Sequence, residues 1–164
     1  MKALVVGGDG FLGVHLVSVL QDAGLDVVRS SRRGEARAGV IFIDMAKTIP
    51  DLPAADVIFI VAAVQTFKAC EGNQIAWIVN ADAPVEIAQR AKWMDAFPVY
   101  VSSDAVEWSN SDYARAKAYA ELGVLMVGGA VVRPGKISPE RVSGLCQLLL
   151  RVGKGKMRGV HRWQ

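Results

Sequence analysis

The stretch that most limits what this chain can become is Ala3-Leu-Val-Val-Gly-Gly-Asp-Gly-Phe-Leu-Gly13. Ala3 to Val6 reads as a buried strand, and Gly7, Gly10 and Gly13 follow it at intervals of three. Beyond them Leu12, Leu16, Val19, Leu20 and Ala23 recur at helical spacing. Strand, glycine turn and helix in that order form a dinucleotide cradle. The first glycine allows a sharp turn, and the second admits backbone N–H groups close to a pyrophosphate. The third lets the helix pack near the sheet with its positive end toward the phosphates. A glycine turn that only packs a helix on a strand would use the same letters. The context favours the cradle, with Gly7, Gly10, Phe11, Leu12 and Gly13 as its lining.

Hydrophobic residues make up 52% of the 164 positions and charged residues 21%. That balance suits a parallel sheet buried on both faces better than a bundle with a solvated outer side. A second strand is expected from Asp26 to Ser30 or Ser31, then the basic turn Arg32-Arg33-Gly34. A third runs from Gly39 to Ile43 and ends at Asp44, and an irregular crossover spans 46–55. The fourth, Asp56 to Val61, runs out into Ala62-Ala63. Ile75, Val79, Ala83, Ile87 and Ala91 predict a helix from about Asn73 to Lys92, in which Pro84 implies a kink or restart. Phe97 to Val101 is a fifth strand, and a helix opens near Ser111 or Asp112. Gly129 to Val132 is a sixth strand, ending at Arg133-Pro134-Gly135. Ser138-Pro139 reads as the start of a final helix through about Val152.

The alternation implies an α/β fold, a doubly wound parallel sheet of Rossmann type with helices on both faces, as one domain over 1–164. Residues 155–164 read as a basic tail or as the start of a truncated substrate region. Ligands of such sheets bind at the carboxyl ends of the strands. Ser31, Arg32, Arg33, Asp44, Met45, Ala62, Ala63, Ser103, Arg133 and Pro134 fall there and join the glycines as candidate contacts.

Other classes are disfavoured. No apolar stretch reaches the roughly 18 residues of a membrane span, and the N-terminal apolar run ends in glycines rather than in a signal-peptide cleavage pattern. Cys70 and Cys146 fit no metal or redox pattern and read as free thiols in a reducing cytoplasm. His15 and His161 have no partners at ligand spacing, so no metal is assigned. The net charge is +3, and Arg151, Lys154, Lys156, Arg158 and Arg162 form an acid-free end. Without an aromatic-basic platform or helix-turn-helix, that end reads as solvated rather than as a nucleic-acid surface.

Tyr113 and Lys117 stand four apart, so both project from one helix face. A phenol is a weak acid at neutral pH, and a nearby ammonium is expected to lower its pKa and make proton exchange with a substrate oxygen feasible. Ser103, at the end of the fifth strand, could hydrogen-bond the same oxygen. Such pairs are common on helix surfaces, and here the glycine triplet and the Ser-bearing strand give the pair its meaning.

These segments, with Val79-Asn80-Ala81-Asp82-Ala83-Pro84, Val99-Tyr100-Val101-Ser102-Ser103-Asp104-Ala105-Val106, Tyr113-Ala-Arg-Ala-Lys117-Ala-Tyr-Ala-Glu121 and Val132-Arg133-Pro134-Gly135, occur in one characteristic order. Through them the chain resembles the extended short-chain dehydrogenase/reductase superfamily, in its epimerase/dehydratase branch, and within it the dTDP-dehydrorhamnose reductases. The resemblance runs from Met1 to about Gly135. It implies Tyr113 as acid/base, Lys117 as the group that binds nicotinamide-ribose hydroxyls and tunes it, Ser103 as the residue orienting a carbonyl, and Asn80 as the fourth member. By the residues alone, Asn80 is a polar group beside an apolar stripe, satisfied by backbone.

The chain departs from that pattern in three ways. Ser103 and Tyr113 are only ten apart, Glu107-Trp108 replaces the usual Tyr-Gly, and the sequence stops at Gln164, where relatives continue into a substrate domain. The ending His161-Arg162-Trp163-Gln164 reads as an interrupted segment, so the chain is either a fragment or a form reduced to the cofactor half. At the end of the second strand, where NAD-selective folds carry an acid, stand Ser30 and Ser31, followed by Arg32 and Arg33. Paired guanidinium hydrogen bonds to a 2′-phosphate favour NADP over the alternative, NAD. Two functions follow: an NAD(P)-dependent oxidoreductase or epimerase acting on a carbonyl or carbinol carbon of a small-molecule substrate such as a nucleotide sugar, or a non-catalytic NADP-binding sensor or interaction protein. Neither needs a membrane or nucleic acid, and both leave room for a homodimer.

Overall fold

The structure, a computed structural model, describes residues 1–33 and 38–163, so Gly34 of the basic turn and Gln164 lie outside the described residues. In chain order the elements are β1 (Lys2–Val6), α1 (Phe11–Asp22), β2 (Asp26–Ser31), β3 (Val40–Phe42), β4 (Val57–Ile60), α2 (Phe67–Cys70) and α3 (Gln74–Trp77). A π-helical turn (Ile78–Asp82) leads into α4 (Ala83–Trp93). Then come β5 (Phe97–Val101), α5 (Ala105–Trp108), α6 (Asp112–Met126), β6 (Ala130–Pro134), α7 (Val142–Gly155) and β7 (Gly159–Trp163). The strands form one sheet in the order β3-β2-β1-β4-β5-β6-β7, and every pairing is parallel.

Successive strand residues point to opposite faces, and here both faces are apolar. Ala3, Val5, Val57, Phe59, Val99, Val101 and Val132 face α1 and α7, with Leu16, Leu20, Leu145 and Leu149 packed on them. Leu4, Val6, Ile58, Ile60, Tyr100 and Val131 face the other way, onto Ile87, Ala91, Ala120 and Val124 of α4 and α6. The irregular crossover supplies Met45 and Ile49 to this second core. No helix among the described residues is long and apolar enough to cross a membrane.

The sheet has one strand more than the six read from the sequence. Gly159–Trp163, read as basic tail or truncated start, pairs with β6 from Ala130↔Gly159 to Pro134↔Trp163. The last helix starts later than expected. Ser138-Pro139 makes a turn, the Ser138 carbonyl accepting from Arg141 N–H at 3.0 Å and Val142 N–H at 2.9 Å. The helix then begins at Val142, without a side-chain cap, and continues past Val152 to Gly155. A proline's fixed φ suits position two of a turn as well as the first turn of a helix.

The restart expected at Pro84 takes a specific form. Asn73 caps the start of α3, its Oδ1 accepting from Ile75 and Ala76 N–H. The helical path widens into the π turn, and Pro84 lies in the first turn of α4. Lacking an N–H, Pro84 leaves the carbonyl four residues back, that of Asn80, without its α-helical partner. The buried Tyr100 hydroxyl donates to that carbonyl at 3.1 Å.

Candidate active site

The cradle forms where β1 turns into α1. Gly7 has φ +94°, a left-handed conformation in which a side chain is strained. Its N–H donates to Ser30 Oγ at 2.9 Å, and Gly8 N–H donates to the Ser30 carbonyl at 3.1 Å. A Cβ on Gly13 would overlap the Gly7 carbonyl oxygen, so the helix can approach the strand only without one. Gly10 is the N-cap of α1, and a Cβ there would meet only the Gly7 oxygen, at 3.4 Å. Above these residues lies a cavity of about 410 Å³. Gly7, Gly10, Phe11, Leu12, Gly13, Ser31, Arg32, Arg33, Asp44, Met45, Ala62 and Ala63 all line it. Ser31 shapes the basic corner, its hydroxyl accepting from Arg33 N–H and donating to the Arg33 carbonyl, both at 2.9 Å.

The second group of side chains gathers at the same end of the sheet. Ser111 caps α6, accepting from Ala114 N–H at 3.2 Å, which places Tyr113 in the first helical turn and Lys117 one turn later. Lys117 is buried, donates to the Val101 carbonyl at 3.0 Å, and holds its Nζ 4.7 Å from the Tyr100 ring centre and 5.9 Å from that of Tyr113. Burial pushes the ammonium down to about 8, against the opposing pull of Cys70 and Glu121. Burial also raises the Tyr113 phenol, and a hydrogen bond from Ser103 counters it. The expected lowering by the lysine is therefore corrected: desolvation dominates, Cys70 and Asp104 add to the rise, and Ser103 rather than Lys117 opposes it.

Ser103 sits in a turn at the end of β5, its Oγ accepting from Ala105 N–H at 3.2 Å. Asn80 is fully buried. Its Oδ1 accepts from Val64 N–H and its Nδ2 donates to the Val64 carbonyl, both at 2.9 Å, with Cys70 Sγ at 3.5 Å. The side chain thus pins the segment after β4 that lines the cavity, and its polar capacity is spent there.

The family model for the RmlD substrate binding domain matches residues 1–122. This chain belongs to that family. The sheet and helices superpose on solved structures of similar fold. A dTDP-4-dehydrorhamnose reductase from Yersinia enterocolitica is 21% identical, with a TM-score of 0.80 over 99% of this chain and 74% of that one. The corresponding enzyme from Bacillus anthracis, crystallised with NADP, is 17% identical, with a TM-score of 0.80 over 99% and 74%. MoeE5, crystallised with UDP-glucose and NAD, is 19% identical, with a TM-score of 0.78 over 99% and 75%. No curated protein sequence matches the chain.

In this RmlD-family chain Arg133 and Pro134 stand apart from the cavity. The Arg133 guanidinium donates to Glu121 Oε1 at 2.8 Å and to Glu107 Oε1 at 3.0 Å, and Glu107 also accepts from Arg162 Nε at 2.7 Å. The Pro134 carbonyl accepts from Asp104 N–H at 3.0 Å, tying the end of β6 to the start of the Ser103 turn. Both residues therefore brace the loop that carries Ser103. Sequence reasoning also passed over Arg29, whose guanidinium pairs with Asp9 across the glycine loop. The Arg29 stem fills the space a Gly8 side chain would need. Asp9, Ser30, Gln65, Ile75 and Val79 are also in the cavity wall; Asp9, Ser30 and Val79 stand beside nominated residues, and no local signal marked Gln65 or Ile75.

Proposed function

We propose that this chain is an NADP(H)-dependent oxidoreductase or epimerase acting on a carbonyl or carbinol carbon of a nucleotide sugar, with Tyr113 exchanging the proton at that carbon's oxygen. The observation that carries the reading is that Ser103 and the Tyr113–Lys117 pair gather at the carboxyl end of β5, as the glycine cradle shaped by Gly7 and Gly13 follows that of β1 in the same parallel sheet. An i,i+4 Tyr–Lys pair without a cradle would be unremarkable on a helix.

The cavity residues fit a dinucleotide. Gly7 to Gly13 would hold the pyrophosphate on the N-terminus of α1, Ser31 to Arg33 a 2′-phosphate, Asp44 and Met45 the adenosine end, and Lys117 the nicotinamide ribose. The cofactor, when bound, supplies or accepts the hydride. Tyr113, its pKa raised by burial, keeps its proton at neutral pH and is set to donate it to a substrate oxygen. The Lys117 ammonium, still charged below about 8, stabilises the phenolate that donation leaves. Ser103 aims the oxygen at the phenol, and Asn80 acts by holding Val64 in the cavity wall.

A second reading, an NADP-binding sensor without turnover, draws on the same raised phenol, since burial opposes the phenolate that the oxidising direction requires. Calorimetric titration with NADPH and NADH, followed by addition of UDP- and dTDP-linked keto sugars, separates the readings. The enzyme reading expects tighter binding of NADPH and its consumption on adding a keto sugar. Binding without consumption selects the sensor, and failure to bind either dinucleotide overturns both.

A further inference from the structure

Two aromatic rings beside Tyr113 belong to no part of the cradle or the proton-transfer group. Phe67 opens α2, directly after the cavity-lining segment that ends at Gln65. Thr66 caps that helix, its Oγ1 accepting from Ala69 N–H at 3.1 Å, which fixes the backbone turn that carries Phe67. Trp108 closes α5, the short helix braced at its start by the Asp104–Pro134 hydrogen bond. The Phe67 ring lies 5.4 Å from the Tyr113 ring and 5.9 Å from the Trp108 ring, edge-on to both. Three separate elements thus bring three rings together, and two of them stay open: Phe67 is 42% exposed and Trp108 64%.

We propose that Phe67 and Trp108 form the platform on which the reacting pyranose ring of the substrate lies. The inference rests on Tyr113 being the acid/base. Phe67 touches the Tyr113 ring and Trp108 touches Phe67, so a group lying across both rings has its Phe67 end beside the phenol and carries the reacting carbon or adjoins it. In a nucleotide sugar the base is separated from that carbon by a ribose and a diphosphate, too far to share the same platform. A pyranose presents one face of C–H groups, which suits an aromatic surface, and a rim of hydroxyls for polar groups such as Ser103. Glu107, the chain neighbour of Trp108, is paired with Arg133 and Arg162, so its carboxylate leaves no unmatched charge beside the Trp108 ring.

The test compares UDP-glucose with UDP, and dTDP-glucose with dTDP, by calorimetry on the NADP-loaded protein. Trp108→Ala should lower affinity for the nucleotide sugars about tenfold, the upper range for one aromatic contact. It should leave the affinities for UDP, dTDP and NADP unchanged. Phe67→Ala should show the same selective loss, and Trp108→Phe should retain most of the affinity. Undiminished sugar affinity in Trp108→Ala overturns the platform. So does an equal loss for sugar-bearing and sugar-free nucleotides, or a wild-type protein that binds NADP but no nucleotide sugar. A protein that binds no NADP overturns instead the functional reading beneath.

Discussion

The glycine cradle is built almost wholly from main chain, whereas the Tyr113 end is built from side chains carried by β5, α5, α6 and the π turn. At the cradle the determining events are absences: no Cβ at Gly7 or Gly13, and no bulk over Gly10. At the Tyr113 end they include three buried polar groups with named partners: Lys117 on Val101, Asn80 on Val64, Tyr100 on Asn80. A main-chain site is tolerant of charge but not of volume. A buried polar site tolerates neither a lost partner nor a changed protonation state.

Substitutions can break this contrast. The largest effect expected is from Tyr113→Phe, which should cut turnover by about 10²–10⁴-fold, the range for a lost general acid/base, and leave NADPH affinity nearly unchanged. Single-turnover kinetics with separate binding titrations would check it, and an undiminished rate would remove the phenol from the mechanism. At the cradle, Gly13→Ala should lower unfolding stability by about 3 kcal/mol or more, because the overlap is with backbone that cannot yield. Urea melts measure that. Gly10→Ala should cost much less stability while still impairing dinucleotide binding.

The third expectation sharpens the contrast through pH. Lys117 moves from 10.5 to about 8 on folding, so between those values the unfolded chain holds the extra proton. Stability contributed by this group therefore rises with pH across that window, by roughly 3 kcal/mol in total. The difference in stability between wild type and Lys117→Met should grow in favour of wild type from pH 8 to about 10.5, and stay flat below about 7. Taking the difference removes the opposing trend from Cys146, whose thiol burial pushes up to about 11. A flat difference throughout would mean that Lys117 is not desolvated as described. The smallest effect belongs to the basic corner. Arg32→Ala with Arg33→Ala should weaken NADPH binding by about 1.5–3 kcal/mol in all, the worth of one charged hydrogen bond, and barely alter NADH. Equal affinity of the unmodified protein for both cofactors would sink that assignment.

What could be read from the sequence follows the same division. The cradle and the strand ends around it were legible because their signal is contiguous: a strand, a glycine spacing and the residues one step past each strand. Arg29 across Gly8 was not, since nothing local links a strand residue to a loop twenty positions earlier. Tyr113, Lys117 and Ser103 could be nominated by type and spacing, but not the direction in which the phenol and the ammonium shift, which depends on how much water burial removes. The strand β7 escaped notice because an edge strand has one neighbour, and Gly159-Val-His-Arg-Trp163 alternates half-buried with exposed residues instead of showing an apolar run. Asn80 illustrates both sides. Its position was legible, and its bonding to Val64 emerged only when the π turn brought the two together.

The ion pair between Arg162 and Glu107 joins the last strand to a helix 55 residues earlier, and the Trp163 carbonyl accepts from Gly135 N–H at 3.2 Å. Synthesis runs from the N-terminus, while a domain generally folds as a unit. Every residue lining the cavity above the glycine loop, from Val6 to Val79, leaves the ribosome before α5 is made. The clasp on α5 closes only when Arg162 emerges. A growing chain therefore carries every residue of that cavity before it carries the partner that fastens the helix bearing Trp108.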